Sequence, residues 1–179
     1  MMQARSRRAA LPLLISLSLI AFASLTPGRA PRAAVQTLEQ ADSVLVVKSE
    51  RRLYLLHEGH VFRSYKIMLG LSPSGPKERE GDYRTPEGRY VLDLRNPHSD
   101  YFLAIHVSYP NGVDEAAARR HGWRTGGSIM IHGLPNLPKR PVSFYKSVDW
   151  TDGCIALAID DMLELWLLTG PDTPIEIRP

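Results

Sequence analysis

Ser43-Val44-Leu45-Val46-Val47-Lys48, followed closely by Arg51-Arg52-Leu53-Tyr54-Leu55-Leu56, sets the class of structure that this chain can adopt. Both runs are rich in residues that suit the pleated surface of a β-sheet. Glu58-Gly59 is turn chemistry and leads into a third such run at residues 61–69. The start of the domain is therefore predicted to be a set of short strands joined by hairpins.

Four further strands are predicted downstream. Thr85-Pro86-Glu87-Gly88 is a turn, and the polar stretch before it, residues 72–82, contains glycine and proline and is interpreted as a flexible flap or rim. The four runs of strand-forming residues are 89–94, 102–108, 128–132 and 173–178.

Two short helices complete the prediction. Residues 114–120 are rich in alanine, with acidic residues first and arginines last, as the helix dipole favours. Residues 160–168 carry an apolar face and are followed by the stop signal Gly170-Pro171. Many strands and few helices predict a mainly β fold, a single-domain β-sandwich or small barrel with one or two short helices.

The amino terminus has the pattern of an export signal. Arginines among the first eight residues precede an apolar run at residues 9–25, which is short for a membrane span. We interpret residues 1–30 as a signal peptide or a short membrane anchor, with cleavage after Ala23 or Ala30, and residues 31–42 as a tether. The predicted location is the periplasm or cell envelope, and the predicted membrane contact is an uncleaved amino-terminal segment alone.

The charge balance excludes nucleic acid as an expected partner. Residues 1–30 hold four of the 22 basic residues and none of the 19 acidic ones, which leaves 18 basic against 19 acidic residues. No basic stripe of the kind that tracks a phosphate backbone occurs in that remainder. The mature chain of about 150 residues is long enough for one sizeable core.

Cys154, the single cysteine of the chain, is either an inert core residue or a reactive thiol. It follows Asp152-Gly153, which is turn chemistry and unlike a core segment. A cysteine nucleophile needs a base, and His132 ends an apolar run and precedes Gly133, which is suited to holding an imidazole at a strand terminus. Residue types alone leave the inert and the reactive interpretation both open.

The other histidines give weaker signals. His57-Glu58-Gly59-His60 spans a predicted hairpin turn and lacks the spacing of a zinc site, so we interpret it as a surface turn. His106 lies within an apolar run, where a lone histidine is more often a hydrogen-bonded core residue than a ligand. No metal site is predicted.

Several motifs in order resemble the catalytic domain of the L,D-transpeptidases, cysteine enzymes that remodel bacterial peptidoglycan. The signature of that family is a His-Gly followed by a Ser/Thr-x-Gly-Cys. The matching segments are Ile131-His132-Gly133, Thr151-Asp152-Gly153-Cys154, Gly81-Asp82-Tyr83-Arg84-Thr85-Pro86-Glu87-Gly88, His106-Val107-Ser108-Tyr109-Pro110-Asn111 and Gly126-Gly127-Ser128. The resemblance runs from about residue 43 to the end, so residues 43–179 are predicted to be the catalytic domain.

The resemblance implies a mechanism without a metal or organic cofactor. Cys154 would attack a peptidoglycan stem peptide at the L-centre of its third residue, forming a thioester and expelling the fourth residue. His132 would be the general base and acid, and the backbone carbonyl of Gly133 would orient its ring. The backbone amides of Asp152, Gly153 and Cys154 would form the oxyanion hole. The acyl acceptor would be a second stem, a lipoprotein lysine, a D-amino acid or water.

Departures from the commonest family pattern concern the substrate contacts. Asp152 stands where many members have histidine, Ala156 where many have arginine, and Ile159 where an asparagine is frequent. They suggest a side branch of the family, so a hydrolase and a binding module without catalysis remain alternatives. Weaker substrate-binding candidates are His106, Tyr109, Arg124, Trp150 and Thr151.

Overall fold

The computed structural model describes residues 39–179, and one eight-stranded sheet dominates them. The strands, in chain order, are β1 (Ser43–Val47), β2 (Arg52–His57), β3 (His60–Lys66), β4 (Gly88–Ser99), β5 (Phe102–Val107), β6 (Met130–His132), β7 (Ile155–Ala156) and β8 (Thr173–Arg178). Their order in the sheet is β3-β2-β1-β8-β4-β5-β6-β7. The sheet curls into half a barrel, which confirms the predicted mainly β fold of the L,D-transpeptidase type.

The three helices lie in connections between strands. They are α1 (Gly112–Arg120), α2 (Val142–Tyr145) and α3 (Ile159–Leu168). Asn111 begins α1 with a capping box, because its side chain accepts from the first helical amides while Asp114 accepts from the Asn111 amide. Each helix is short, and none in the described part of the chain is long and apolar enough to cross a membrane.

Alternation of buried and exposed residues explains why the first strands form. In β1, Val44 and Val46 point inward, and in β2 the inward positions are Leu53 and Leu55. β8 inserts between β1 and β4, parallel to the first and antiparallel to the second. The carboxyl terminus therefore completes the centre of the sheet, and Met162, Leu165 and Leu168 of α3 are buried with the core.

Two elements were not predicted. β7 has two residues, too few for any alternation to register, and it exists because it pairs with β6. α2 has four residues and is the third helix within residues 39–179, where one or two were expected. β4 runs to Ser99, past the predicted end at residue 94, because its pairing with β5 continues beyond a register shift.

The buried side chain of Lys48 fixes residues 75–87, which lie outside the sheet. The Lys48 ammonium donates to the carbonyl oxygens of Gly75 (2.6 Å) and Thr85 (3.0 Å) and to the Glu87 carboxylate (2.9 Å). These bonds tie residues 75–87 to the end of β1, so the predicted flap is anchored at both ends.

Candidate active site

The parallel pairing of β6 with β7 brings Cys154 and His132 to the same cavity. Ile131 is opposite Ile155 and His132 is opposite Ala156, so Cys154 immediately precedes the paired residues. Because side chains alternate along a strand, Cys154 and His132 fall on the same face. Both line a cavity of about 470 Å³.

His132 is held in one tautomer. Its Nδ1 lies 2.7 Å from the carbonyl oxygen of Gly133, which can only accept, so Nδ1 carries the proton and Nε2 keeps a free lone pair. Burial lowers the pKa of His132, and the bond to Gly133 opposes this only in part. With 5% of its surface exposed, the ring is a neutral base at pH 7.

Gly133 is required at its position by close packing. Its amide donates to the carbonyl oxygens of Tyr101 (3.0 Å) and Leu103 (3.2 Å). A Cβ atom there would lie 2.9 Å from the Tyr101 oxygen and 3.1 Å from the Cβ of Phe102. Any larger residue would push away the carbonyl that orients His132.

Aromatic rings surround the imidazole. The Tyr101 ring centroid is 4.6 Å from that of His132, and the Trp150 centroid is 5.6 Å from it. Trp150 is itself fixed, because its indole N–H donates to the carbonyl oxygen of Tyr145 at 3.1 Å. We refer to Tyr101, His132 and Trp150 as the aromatic flank of Cys154.

The turn before Cys154 is built around Thr151. The buried Thr151 hydroxyl donates to the Cys154 carbonyl oxygen (2.7 Å) and accepts from the Gly153 amide (3.2 Å). Gly153 has φ +131°, and a Cβ atom there would lie 2.6 Å from the Arg84 carbonyl oxygen. Only glycine fits, which gives a physical reason for the glycine of the Ser/Thr-x-Gly-Cys signature.

The thiol rests in its neutral form. Cys154 Sγ accepts from the Met130 amide at 3.4 Å and faces the Ser128 carbonyl oxygen at 3.7 Å as a donor. Burial raises the pKa of Cys154, and the negative charge of Asp152 adds to this, whereas the Met130 amide and the Lys77 ammonium lower it. The net effect is a raised pKa, so a base must accept the proton when the sulfur reacts.

A second cavity of about 470 Å³ lies on the other side of the thiol. It shares Ser128, Asp152 and Cys154 with the first cavity, and its outer wall includes Lys77 and Glu80. We refer to Lys77 and Glu80 as the charged flank of Cys154. The nucleophile is therefore open on two sides.

A buried ion pair holds the charged flank in place. The Lys77 ammonium lies 2.7 Å from a carboxylate oxygen of Asp82, and both side chains are buried. Asp82 also accepts from the backbone amides of Glu78, Arg79 and Arg84. Burial alone would raise the pKa of Asp82, but Lys77 and these amides outweigh it and hold the pKa below its usual range.

The structure brings together only some of the predicted site residues. Trp150, Thr151 and Asp152 line the first cavity with Cys154 and His132. The Gly153 amide is already bonded to Thr151, whereas those of Asp152 and Cys154 donate to no group within residues 39–179, so Gly153 does not fit the predicted oxyanion hole.

Three weaker candidates lie outside both cavities. His106 Nδ1 is bonded to Asp93 at 2.6 Å, one strand away from His132. Tyr109 is buried and donates to the Thr125 carbonyl oxygen, and Arg124 is exposed beside Glu80. None of the three side chains lines a cavity beside Cys154, and their contact with substrate stays a prediction.

The sequence did not predict that Tyr101, Lys77 and Met130 lie at the site. Tyr101 sits in the turn between β4 and β5, and no motif marks it. Met130 acts through its backbone amide, which carries no sequence signal. Lys77 lies within the stretch interpreted as a rim, and its only signal was a lysine five residues before Asp82.

No metal centre is formed by the described residues. Within residues 39–179, no three histidine, cysteine, aspartate or glutamate side chains lie close enough to hold an ion. His57 and His60 face each other across a hairpin whose turn residues, Glu58 and Gly59, have positive φ, which confirms the surface turn.

A comparison with known protein families shows to which family this chain belongs. The family model YkuD, described as the L,D-transpeptidase catalytic domain, matches residues 41–177. This chain belongs to that family. Membership supports a peptidoglycan-related function, and residues in the expected motifs line the two cavities.

Two relatives match this L,D-transpeptidase domain over different shares of the chain. YafK of Escherichia coli strain K12, whose name assigns L,D-transpeptidase activity only provisionally, is 36% identical over 96 residues, which is 50% of this chain and 37% of YafK. The helical cell shape determining protein Pgp2 of Campylobacter jejuni has a TM-score of 0.57 at 30% identity, over 75% of this chain and 46% of Pgp2. The chain thus spans less than half the length of either relative.

A more distant structure agrees in fold alone. An L,D-transpeptidase of Xylanimonas cellulosilytica has a TM-score of 0.52 at 15% identity, over 78% of this chain and 61% of that chain. The family fold therefore persists where little sequence similarity is left.

Proposed function

We propose that this protein is an exported cysteine acyltransferase that acts on peptidoglycan stem peptides. The observation that carries the proposal is the neutral pair on one cavity wall, a Cys154 thiol and a His132 imidazole with Nε2 free to accept a proton. Within residues 39–179 the thiol donates to the Ser128 carbonyl oxygen, so it must turn toward Nε2 of His132 when it attacks.

Acylation begins with attack of Cys154 Sγ on the carbonyl carbon of the L-centre at the third stem residue. The thiol proton passes to His132 Nε2, and the carbonyl becomes a tetrahedral oxyanion. The bond to the nitrogen of the fourth residue then breaks, and His132 returns the proton to that leaving amine. The product is a thioester on Cys154 and a free amino acid, usually D-alanine.

The oxyanion is proposed to lie against the backbone amides of Asp152 and Cys154. Both are free donors within residues 39–179 and precede or belong to the nucleophile itself. Preorganised donors of this kind stabilise a developing negative charge without reorganisation. The fixed turn held by Thr151 keeps them in position.

Deacylation is proposed to use the cavity that His132 lines, after the fourth residue has left it. An amine acceptor attacks the thioester, gives its proton to His132, and releases the sulfur, which recovers a proton. Cavities on both sides allow the acyl chain and the acceptor to occupy different walls. A stem amine, a lipoprotein lysine or a D-amino acid would make the product a transfer product, and water would make it a hydrolysis product.

The test is incubation of the purified protein with muropeptides that carry tetrapeptide stems, with the products measured by mass. Loss of the fourth residue with a new amide supports acyl transfer, and loss of the residue with gain of water supports the hydrolase alternative. Binding of stems without turnover supports the non-catalytic alternative. Unchanged turnover in Cys154→Ala would eliminate the mechanism.

Export belongs to the same proposal. Residues 1–38 lie outside the described part of the chain, and the pattern of residues 1–30 supports a signal peptide or short anchor, followed by a tether to the domain. Amino-terminal sequencing of the protein recovered from the cell envelope tests this. A mature terminus after Ala23 or Ala30 is expected, and an intact terminus in the cytoplasmic fraction would contradict export.

A further inference from the structure

The loop at residues 137–148, between β6 and β7, exposes an unusual density of apolar side chains. Leu137 is 88% exposed, Val142 50%, Phe144 40% and Val148 41%. Single exposed apolar residues are ordinary on a protein surface, but four within twelve residues are a local concentration.

The same loop carries positive charge only. Lys139, Arg140 and Lys146 are all exposed, and residues 137–148 contain no aspartate or glutamate. None of the three cations forms an ion pair with another residue in the described range 39–179. Arg140 lies 5.9 Å from the Phe144 ring centroid, so a cation and an apolar ring are presented together.

Hydrogen bonds hold the backbone of this loop in the conformation that exposes its apolar side chains. Tyr145 is buried beneath it, with its hydroxyl accepting from the Lys139 amide at 3.1 Å and its carbonyl oxygen accepting from the Trp150 indole at 3.1 Å. At the other end, the Asn136 side chain donates to the Ser99 carbonyl oxygen at 2.8 Å. These bonds fix the backbone, so the apolar side chains cannot fold back into the core.

Interleaved apolar and cationic side chains fit one kind of surface best. A soluble polyanion would use the cations but offer nothing to Leu137 or Phe144. A protein interface core is depleted in lysine, whereas this loop places Lys139 and Lys146 among its apolar residues. The boundary of an anionic bilayer accepts both, because apolar side chains enter the acyl region while cations stay at the phosphates.

We propose that residues 137–148 dock on the surface of an anionic lipid bilayer. Leu137, Val142 and Phe144 would insert at the headgroup boundary, with the three cations on lipid phosphates. A cavity of about 390 Å³ lined by Leu137, Lys139 and Trp150 separates this loop from the aromatic flank, so docking would hold the Cys154 cleft close to the membrane. This contact is separate from the amino-terminal segment that the sequence led us to expect.

The experiment needs a probe at the loop itself, because the apolar run at residues 9–25 can bind vesicles independently. The full chain carries Leu137→Cys in a Cys154→Ser background, labelled with an environment-sensitive bimane. The matched control is Val113→Cys in the same background, an apolar position on α1 that is 77% exposed. Vesicles contain either phosphatidylglycerol with phosphatidylcholine or phosphatidylcholine alone.

The expected result is a blue shift of the label at residue 137 with anionic vesicles, and no comparable shift at residue 113. Adding Lys139→Glu and Arg140→Glu should weaken the response at least tenfold, whereas Arg119→Glu with Arg120→Glu on α1 should change it less than twofold. Added salt should reduce the response, because charges near a bilayer surface are screened. Circular dichroism confirms that each variant is folded.

Several results would overturn the proposal. An equal shift with phosphatidylcholine vesicles would mean that the charges recognise nothing. An equal shift at residue 113 would mean adsorption without orientation. A label that is blue-shifted before any lipid is added would mean that residues 1–38 or a second copy already covers the loop. None of these outcomes bears on the proposed acyl transfer, which is measured on muropeptides without lipid.

Discussion

The two cavities beside Cys154 have the same volume, about 470 Å³, but opposite walls. The aromatic flank surrounds a neutral imidazole with rings, and the charged flank rests on the buried pair of Lys77 and Asp82. Burial lowers the pKa of the His132 base, whereas the loop that approaches from outside the sheet is anchored by the ion pair of Lys77 and Asp82. We therefore expect changes in the aromatic flank to alter the reaction rate, and changes in the charged flank to alter the stability of the loop that carries it.

The largest effect is expected at the base of the aromatic flank. His132→Gln removes the proton acceptor and should lower the rate of thioester formation about 10³-fold, within the usual range for a general base. The matched control is His106→Gln, a histidine one strand away that lines neither cavity, for which a change below twofold is expected. Stopped reactions analysed by intact mass measure both. Equal losses in the two variants would show that the flank has no special role.

On the charged flank, Lys77→Met should act on stability. It leaves the buried Asp82 carboxylate without its cation, which should cost about 3 kcal/mol in the free energy of unfolding. Lys66→Met, at an exposed lysine on β3, should change that free energy by less than about 0.5 kcal/mol. Urea unfolding measures both variants. A stable Lys77→Met protein would mean that this pair does not anchor the flank.

Gly133→Ala tests whether the position of His132 matters, without removing a functional group. The new Cβ would lie 2.9 Å from the Tyr101 carbonyl oxygen, so the backbone that orients His132 must shift by about half an ångström. Since about 1 Å of misplacement can cost 10²-fold, a roughly tenfold loss of rate is expected. Gly112→Ala is the control, because nothing lies within 4 Å of its added Cβ. Steady-state kinetics on a stem tetrapeptide would detect either change.

The last expected effect is the response of the thiol to pH. Because burial and Asp152 raise the pKa of Cys154, alkylation by iodoacetamide should rise about tenfold per pH unit between pH 6 and 8, without a plateau. Burial lowers the pKa of His132, which disfavours the imidazolium that would stabilise a thiolate. A plateau near pH 6 would instead mean a resting thiolate and imidazolium pair.

The sequence predicted the elements and residues whose type and spacing form a local pattern. Runs of strand-forming residues identified β1, β2 and β8, and turn chemistry around Gly153 marked Cys154 as unlike a core cysteine. It could not predict β7, because a two-residue strand is stabilised by its partner and not by its own pattern.

The aromatic flank also escaped prediction for a physical reason. Tyr101 reaches His132 only because β4 and β5 pair with register shifts, and Phe102 adopts a positive φ in the turn between them. Such long-range geometry leaves no local signal. The same holds for Met130, since a backbone amide is identical in every residue type.

The most direct measurement of the central claim is a search for the thioester. The protein is mixed with a stem tetrapeptide, quenched in acid within the first turnover, digested and mapped by mass. We expect an adduct equal to the stem without its fourth residue, on the peptide that contains Cys154, and no adduct or turnover in Cys154→Ala. Release of the fourth residue by Cys154→Ala, or an adduct on any other residue, would contradict it.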